Sequence, residues 1–186
     1  TNTTRLLVTN GGNLNLRMHR VTGLGRGLER LGELSEPGIT RTLKALSEFN
    51  AVIKTHGVQK VRAVATSAAR DAKNRNEFLG PASTLLGHPL ELLSGEQEAR
   101  YGFLGATADL DPREGPYLVL DIGGGSTELS FGRSSPEMYR SVNMGSVRYL
   151  EQYLLSDPPR PEELSGAIQI ARLHLDDVDR EQPSMG

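Results

Sequence analysis

The segment Leu118-Val119-Leu120-Asp121-Ile122-Gly123-Gly124-Gly125-Ser126-Thr127-Glu128-Leu129 constrains the fold more than any other stretch of the chain. Tyr117 to Ile122 and Thr127 to Phe131 read as strands, and the three glycines between them as a turn. A buried strand thus delivers Asp121 to its end. The glycines then let the backbone approach a ligand closely, because no Cβ stands in the way. Successive N–H groups in such a turn can form a concave anion site. Ser126 and Thr127 add hydroxyl donors, and Asp121 and Glu128 flank the turn. Two hard oxygen ligands beside phosphate are what Mg²⁺ prefers. A tight turn with an incidental Asp accounts for the same residues.

The remainder of the chain alternates strands with helices, which defines an α/β class. Residues 4–9 and 14–22 read as strands around the turn cluster Asn10-Gly11-Gly12-Asn13. Residues 23–35 are Gly-rich and basic and read as a surface loop. Ile39, Leu43, Leu46, Phe49 and Ile53 share one helix face between Pro37 and His56-Gly57. Val58 to Thr66 is an expected strand. A helix follows to about Leu86, with Asn74 and Glu77 as a capping-box variant and Pro81 an unfavourable interior residue. Leu90 to Leu93 is a short strand and Glu96 to Ala108 a helix. Asp111-Pro112-Arg113-Glu114-Gly115-Pro116 is the strongest linker signal. Beyond the glycine turn come a strand at Met138–Val142 and helices at Ser146–Leu155 and Glu162–Leu175. The final segment from Asp176 reads as a frayed polar tail. Each half opens with a strand, a Gly/Asn-rich turn and more strand, a loose internal symmetry.

Composition narrows the function classes. In 186 residues, 21 Lys+Arg against 23 Asp+Glu give a net charge of −2, which argues against a general nucleic-acid binder but leaves room for a local anion site. With 37% hydrophobic and 24% charged residues, the chain is of ordinary globular composition. No stretch approaches the ~18–20 apolar residues of a membrane span, and no membrane partner is expected. There is no cysteine, hence no thiol nucleophile and no disulfide framework, and a reducing, cytoplasmic setting fits. Arg70, Lys73 and Arg75 form a basic cluster beside a candidate helix start, where an Arg fork suits phosphate; a solvated charged face fits equally. Arg17, Arg20, Arg26 and Arg30 form a second basic set, and the four histidines show no ligand spacing.

Four blocks in order give the chain a wider resemblance: Thr1-Asn2-Thr3-Thr4-Arg5-Leu6-Leu7, Ala65-Thr66-Ser67-Ala68-Ala69-Arg70-Asp71, Ser94-Gly95-Glu96-Gln97-Glu98-Ala99-Arg100, and Asp121–Glu128 followed by Met144-Gly145-Ser146-Val147-Arg148. Together they resemble the exopolyphosphatase / guanosine pentaphosphate phosphatase (Ppx/GppA) family. The resemblance implies an actin-like (ribonuclease H-type) ATPase-superfamily fold, with two similar subdomains facing each other across a phosphate cleft. It implies subdomain I at residues 1–116 and the first part of subdomain II at 117–186. It implies Glu98 as the general base that activates the attacking water, and Asp121 and Glu128 toward Mg²⁺ and the scissile phosphate. Gly123, Gly124, Gly125, Ser126, Thr127 and Gly145 would hold phosphate oxygens, with Asn2, Thr3 and Arg70 in the other phosphate loop. The implied reaction is release of terminal phosphate from inorganic polyphosphate or guanosine pentaphosphate, with room for a homodimer of the full-length protein.

The chain also departs from that family pattern. It opens on Thr1, directly before an apolar run, and lacks the Asp and Gly that precede Thr/Ser-Asn in the family's first phosphate loop. Family members extend well beyond 186 residues, so a fragment of the catalytic region is expected. An actin-like ATPase or sugar kinase with the same glycine turn is the competing enzyme reading. A non-catalytic module that binds polyphosphate or an alarmone is the third. From sequence alone, Glu98 also fits a solvated first-turn residue that complements the helix dipole.

Overall fold

Alternating residues on either side of Asn10 and Gly11 fold into a hairpin in which β1 (Thr3–Asn10) pairs antiparallel with β2 (Asn13–Val21). The structure, a computed structural model, describes residues 1–11 and 13–181. Gly12 of the expected turn and Gln182–Gly186 of the expected tail lie outside the described residues. The chain divides into two compact units, Thr1–Leu92 and Leu93–Gly186.

In the first unit, the segment expected as a surface loop is instead part of the core. Leu24, Leu28 and Leu34 are buried, and a one-turn helix α1 (Leu28–Leu31) lies between glycines with positive φ at 27 and 32. Basic residues disguised the leucine spacing. Helix α2 (Glu36–Thr55) starts at Ser35, whose hydroxyl accepts from Gly38 N–H at 3.3 Å. It buries Ala45, Leu46 and Phe49. At its end, Gly57 adopts φ 58°, its N–H donates to Lys54 and that of Val58 donates to Ile53, the paired bonds of a Schellman stop. Val58 therefore ends the helix, and the strand expected from it shrinks to β3 (Ala63–Ala65).

Helices α3 (Ser67–Asp71) and α4 (Asn76–Leu86) carry the chain to β4 (Leu90–Leu92), which pairs parallel with β3. Pro81 stands inside α4 on its exposed side, where the loss of one hydrogen bond is offset by burial of Phe78, Ala82 and Leu86. Asn74 does not cap α4. Its Oδ1 accepts from Leu34 N–H at 2.8 Å, and its Nδ2 donates to Leu34 O at 3.0 Å and to Glu77 Oε2 at 3.1 Å. The side-chain amide thus pairs with both backbone groups of Leu34 and ties the 23–35 segment to the core around Leu46 and Phe78.

In the second unit, β5 (Tyr117–Ile122), β6 (Thr127–Gly132) and β7 (Pro136–Val142) form an antiparallel sheet in that order. Helix α5 (Gly95–Ala106) packs on this sheet and so belongs with it. Leu93 accordingly opens the second compact unit. The linker instead makes a 3₁₀ turn at Pro112–Glu114, braced by Tyr117 OH donating to Asp111 O at 2.6 Å. Strand β5 is not buried as expected: Leu118, Leu120 and Ile122 are 55%, 52% and 64% exposed, because β5 is an edge strand with one uncovered face. Helix α6 (Ser146–Tyr153) and helix α7 (Pro161–Glu181) follow. α7 runs through the acidic segment expected to fray, with the last-turn pair Arg180–Asp177 at 3.5 Å. Among the described residues, no helix is long and apolar enough to cross a membrane.

Replacing Asn74 with Ala removes three bonds, including those to the backbone N–H and C=O of Leu34. The expected loss is about 1–3 kcal/mol, read as a lower urea midpoint with an unchanged slope. An unchanged midpoint would contradict the stapling role.

Candidate active site

The glycine turn owes its orientation to what lies behind it. Ile122 pairs with Thr127, and Gly123 N–H donates to Ser126 O at 2.9 Å, closing the hairpin. All three glycine carbonyls are captured by the start of α6. Gly123 O accepts from Ser146 N–H (3.0 Å), and Gly124 O accepts from the N–H groups of Val147 (2.8 Å) and Arg148 (3.0 Å). Gly125 O accepts from Arg148 Nε at 2.7 Å. The first N–H groups of a helix ordinarily lack backbone partners; here they are used on the turn. In a planar trans peptide, the C=O of one residue and the N–H of the next point in opposite directions. The N–H groups of Gly124, Gly125 and Ser126 are therefore directed away from α6, as a row of donors suited to an anion.

Gly145 makes this capture feasible. A Cβ there would stand 2.5 Å from Gly124 C and 2.6 Å from both Gly124 O and Gly125 C. Gly145 thus backs the turn from the α6 side. The Thr127 hydroxyl, 0% exposed, donates to Met144 O at 2.5 Å, tying β6 to the same segment. The Ser126 hydroxyl is also buried and bonds the Glu128 carboxylate. Both hydroxyls expected to cradle phosphate are engaged with protein groups, which leaves the backbone N–H groups as the turn's remaining donors.

A row of polar residues crosses the sheet beside the turn. Asp121 opposes Glu128, and Glu128 opposes Ser141. Directly opposed residues of antiparallel strands share one face. Helix α5 covers that face closely. A Cβ on Gly95 would lie 2.7 Å from Ser141 Cβ, and one on Gly102 would lie 3.5 Å from Asp121 Oδ2. Glu98 stands three residues after Gly95 and four before Gly102, so it sits on the same side of the helix. Farther along β6, Ser130 Oγ donates to Ala99 O at 3.1 Å and holds the contact. Ser94 and Gln97 form a reciprocal capping box that fixes the first turn carrying Glu98.

The three carboxylates differ in setting. Asp121 is exposed at the strand end, and Glu98 is half-buried. Glu128 is 2% exposed, and its Oε1 accepts from Ser141 Oγ at 2.7 Å. Burial pushes its carboxyl above the ordinary range, and the charges of Glu98 and Asp121 add to the rise. The Ser141 and Ser126 hydroxyls pull the other way. Among the described residues, no three His, Cys, Asp or Glu side chains are grouped as a ready metal cage. Mg²⁺ commonly takes only one or two protein carboxylates together with water and phosphate oxygens. The open carboxylate of Asp121 fits that requirement better than Glu128, whose oxygens serve the row.

In the first unit, Asn2 O accepts from the N–H groups of Thr22 and Gly23, both at 2.9 Å, and Thr3 begins β1. Thr1 Oγ1 accepts from Ala68 N–H at 3.2 Å, joining the first residues to α3, the helix that carries Arg70. Arg70 lies 4.0 Å from Asp71. Two contributors escaped the sequence reading as site residues. Ser141 lay in an alternating strand of unknown register. Arg148 stood in a quoted block, but only the close approach of α6 reveals its partner.

These features define an actin-like α/β protein whose second unit holds a glycine turn, its carbonyls captured by a helix start, beside a carboxylate row. The sequence profile of the Ppx/GppA phosphatase family matches residues 11–186, and the chain belongs to that family. It is 37% identical over 172 residues to exopolyphosphatase 2 of Mycobacterium tuberculosis, covering 90% of this chain and 54% of that protein. It is 33% identical over 171 residues to the guanosine-5'-triphosphate,3'-diphosphate pyrophosphatase of Pseudoalteromonas translucida, covering 91% of this chain and 34% of that one. The crystal structure of an exopolyphosphatase-like protein superposes with a TM-score of 0.92 at 36% identity, over 97% of this chain and 59% of that chain. The chain thus spans about half the length of its relatives or less.

Two outcomes follow from the site. Glu128 has a raised pKa when folded, so its contribution to stability is full below the unfolded value and is lost as pH rises through the folded one. In metal-free buffer, Glu128→Gln should gain stability relative to the parent chain from pH 4.5 upward; a pH-independent difference would contradict the burial argument. Gly145→Ala should weaken phosphate binding by displacing α6, whereas Gly166→Ala in α7, where a Cβ meets nothing within 4 Å, should stabilise by about 0.5–1 kcal/mol. Calorimetric titration and thermal unfolding of both variants read the contrast.

Proposed function

We propose that the protein is a phosphoanhydride hydrolase that releases terminal phosphate from inorganic polyphosphate or guanosine pentaphosphate by attack of an activated water. The observation that carries this reading is the capture of the three glycine carbonyls by α6, which directs the N–H groups of Gly124, Gly125 and Ser126 away from that helix, next to a row of carboxylates. Phosphoryl transfer requires little covalent chemistry from a protein; it requires positioning and charge stabilisation. The donor row binds terminal phosphate oxygens. Glu98, on the face of α5 that covers the carboxylate row, takes the proton from the attacking water, a role worth typically about 10²–10⁴-fold.

Mg²⁺, when bound, would neutralise charge on the phosphoryl oxygens, with Asp121 as its protein ligand. Glu128, together with Ser141 and Ser126, keeps the row in register. Asn2, Thr3 and Arg70 on the first unit are proposed as further phosphate contacts, where an Arg fork suits bidentate binding. The names of the relatives support both substrates, since one is an exopolyphosphatase and another a guanosine pentaphosphate pyrophosphatase. The lack of cysteine is in keeping with a reducing, cytoplasmic setting.

The test is phosphate release by the whole protein from polyphosphate, guanosine pentaphosphate and ATP, with and without Mg²⁺. Release from either of the first two should need Mg²⁺, and Glu98→Gln should lower kcat by about 10²–10⁴-fold with substrate binding retained. Release from ATP alone, or full activity in the Gln variant, would contradict the reading.

A further inference from the structure

The three peptides of the turn are not held in the same way. The carbonyls of Gly123 and Gly124 accept from backbone N–H groups of α6, which any residue but proline could supply, and Gly123 O also accepts from Ser146 Oγ at 3.3 Å. Gly125 O is held by a side chain, Arg148 Nε at 2.7 Å. The same residue donates its backbone N–H to Gly124 O at 3.0 Å, so Arg148 grips two successive carbonyls. Because the peptide is planar, the direction of Gly125 O sets the direction of Ser126 N–H. Ser126 lies at the β6 end of the donor row, next to Thr127 and two residues before Glu128.

We propose that Arg148 is a positioning residue for the anion turn: its guanidinium orients the Gly125–Ser126 peptide so that Ser126 N–H faces bound phosphate. This rests on the phosphate reading of the turn and adds to it a residue that acts from behind. Two physical effects work together. A hydrogen bond from a charged donor is roughly twice as strong as a neutral one, so the carbonyl is held firmly. That bond also polarises the peptide and makes its N–H a better donor, as in any hydrogen-bonded chain. The helix start adds no anion site of its own, since its first N–H groups are already bonded to the turn. Lys could supply charge and one donor on a flexible stem, but not the rigid planar geometry of Nε. The expected order of function is therefore Arg, then Lys, then Met.

The test is titration of the 186-residue chain with tripolyphosphate, followed through the amide resonances of Gly124, Gly125 and Ser126. It compares the parent chain with Arg148→Lys and Arg148→Met, and thermal unfolding of each reports on the fold. In the parent chain all three amides should shift on binding. Arg148→Met should bind at least tenfold more weakly and lose the Ser126 response while keeping that of Gly124; Arg148→Lys should recover part of both. Equal affinity and an unchanged Ser126 response in Arg148→Met would overturn the positioning role alone. Loss of all three responses together with a collapsed unfolding midpoint would also overturn it, in favour of a purely structural role. A parent chain whose three amides do not respond would overturn the phosphate reading itself, and this proposal with it.

Discussion

The capture of three consecutive glycine carbonyls by the start of α6 is the interaction on which the site depends. A Gly-Gly-Gly segment has more backbone freedom than any other and would populate many turns if left alone. Here each carbonyl has a donor waiting: Ser146, Val147 and Arg148 N–H, then Arg148 Nε. One helix terminus and one loop satisfy each other, and the remaining peptide donors are directed away from α6 as a consequence. The glycine at 145 belongs to the same device, since α6 reaches the turn only where a side chain is missing.

A second close approach builds the carboxylate row. Gly95 and Gly102 bring α5 against Ser141 and Asp121, and Glu98 lies between them on the helix. The glycine in the Ser-Gly-x-x-Glu-Ala block is thus explained by packing, since Gly95 does not adopt a positive φ. Burial of Glu128 under this helix raises its pKa, and two serine hydroxyls keep it tied in place. The unit therefore holds Glu128 buried, Glu98 half-buried and Asp121 exposed, three settings distinguished by depth.

Much of this was legible in the sequence, for physical reasons. Helix α2, the hairpin of β5 and β6, and the start of α5 followed from periodicity and turn chemistry that are local. The misreadings concern tertiary partners. Leu24, Leu28 and Leu34 were hidden among glycines and arginines, and their burial depends on Asn74 pairing with a peptide forty residues away. Val58 looked like a strand residue, but its N–H completes the end of α2. The linker signal at Asp111–Pro116 marked a turn correctly, yet α5 before it packs with the sheet after it. In the site, Asp121, Glu128 and the glycines announced themselves. The internal use of Ser126 and Thr127 did not, because a hydroxyl's partner depends on register and depth.

The central claim is that backbone donors of the turn, oriented from behind by α6, are what bind phosphate. A crystal structure with a bound phosphate mimic such as tungstate tests it most directly. The account predicts the oxyanion within hydrogen-bond distance of the Gly124, Gly125 and Ser126 N–H groups, with Gly145 and Arg148 on the far side of the turn. An oxyanion seated at the start of α6, or bound in the second unit through the Thr127 hydroxyl with the turn's N–H groups unused, would contradict it.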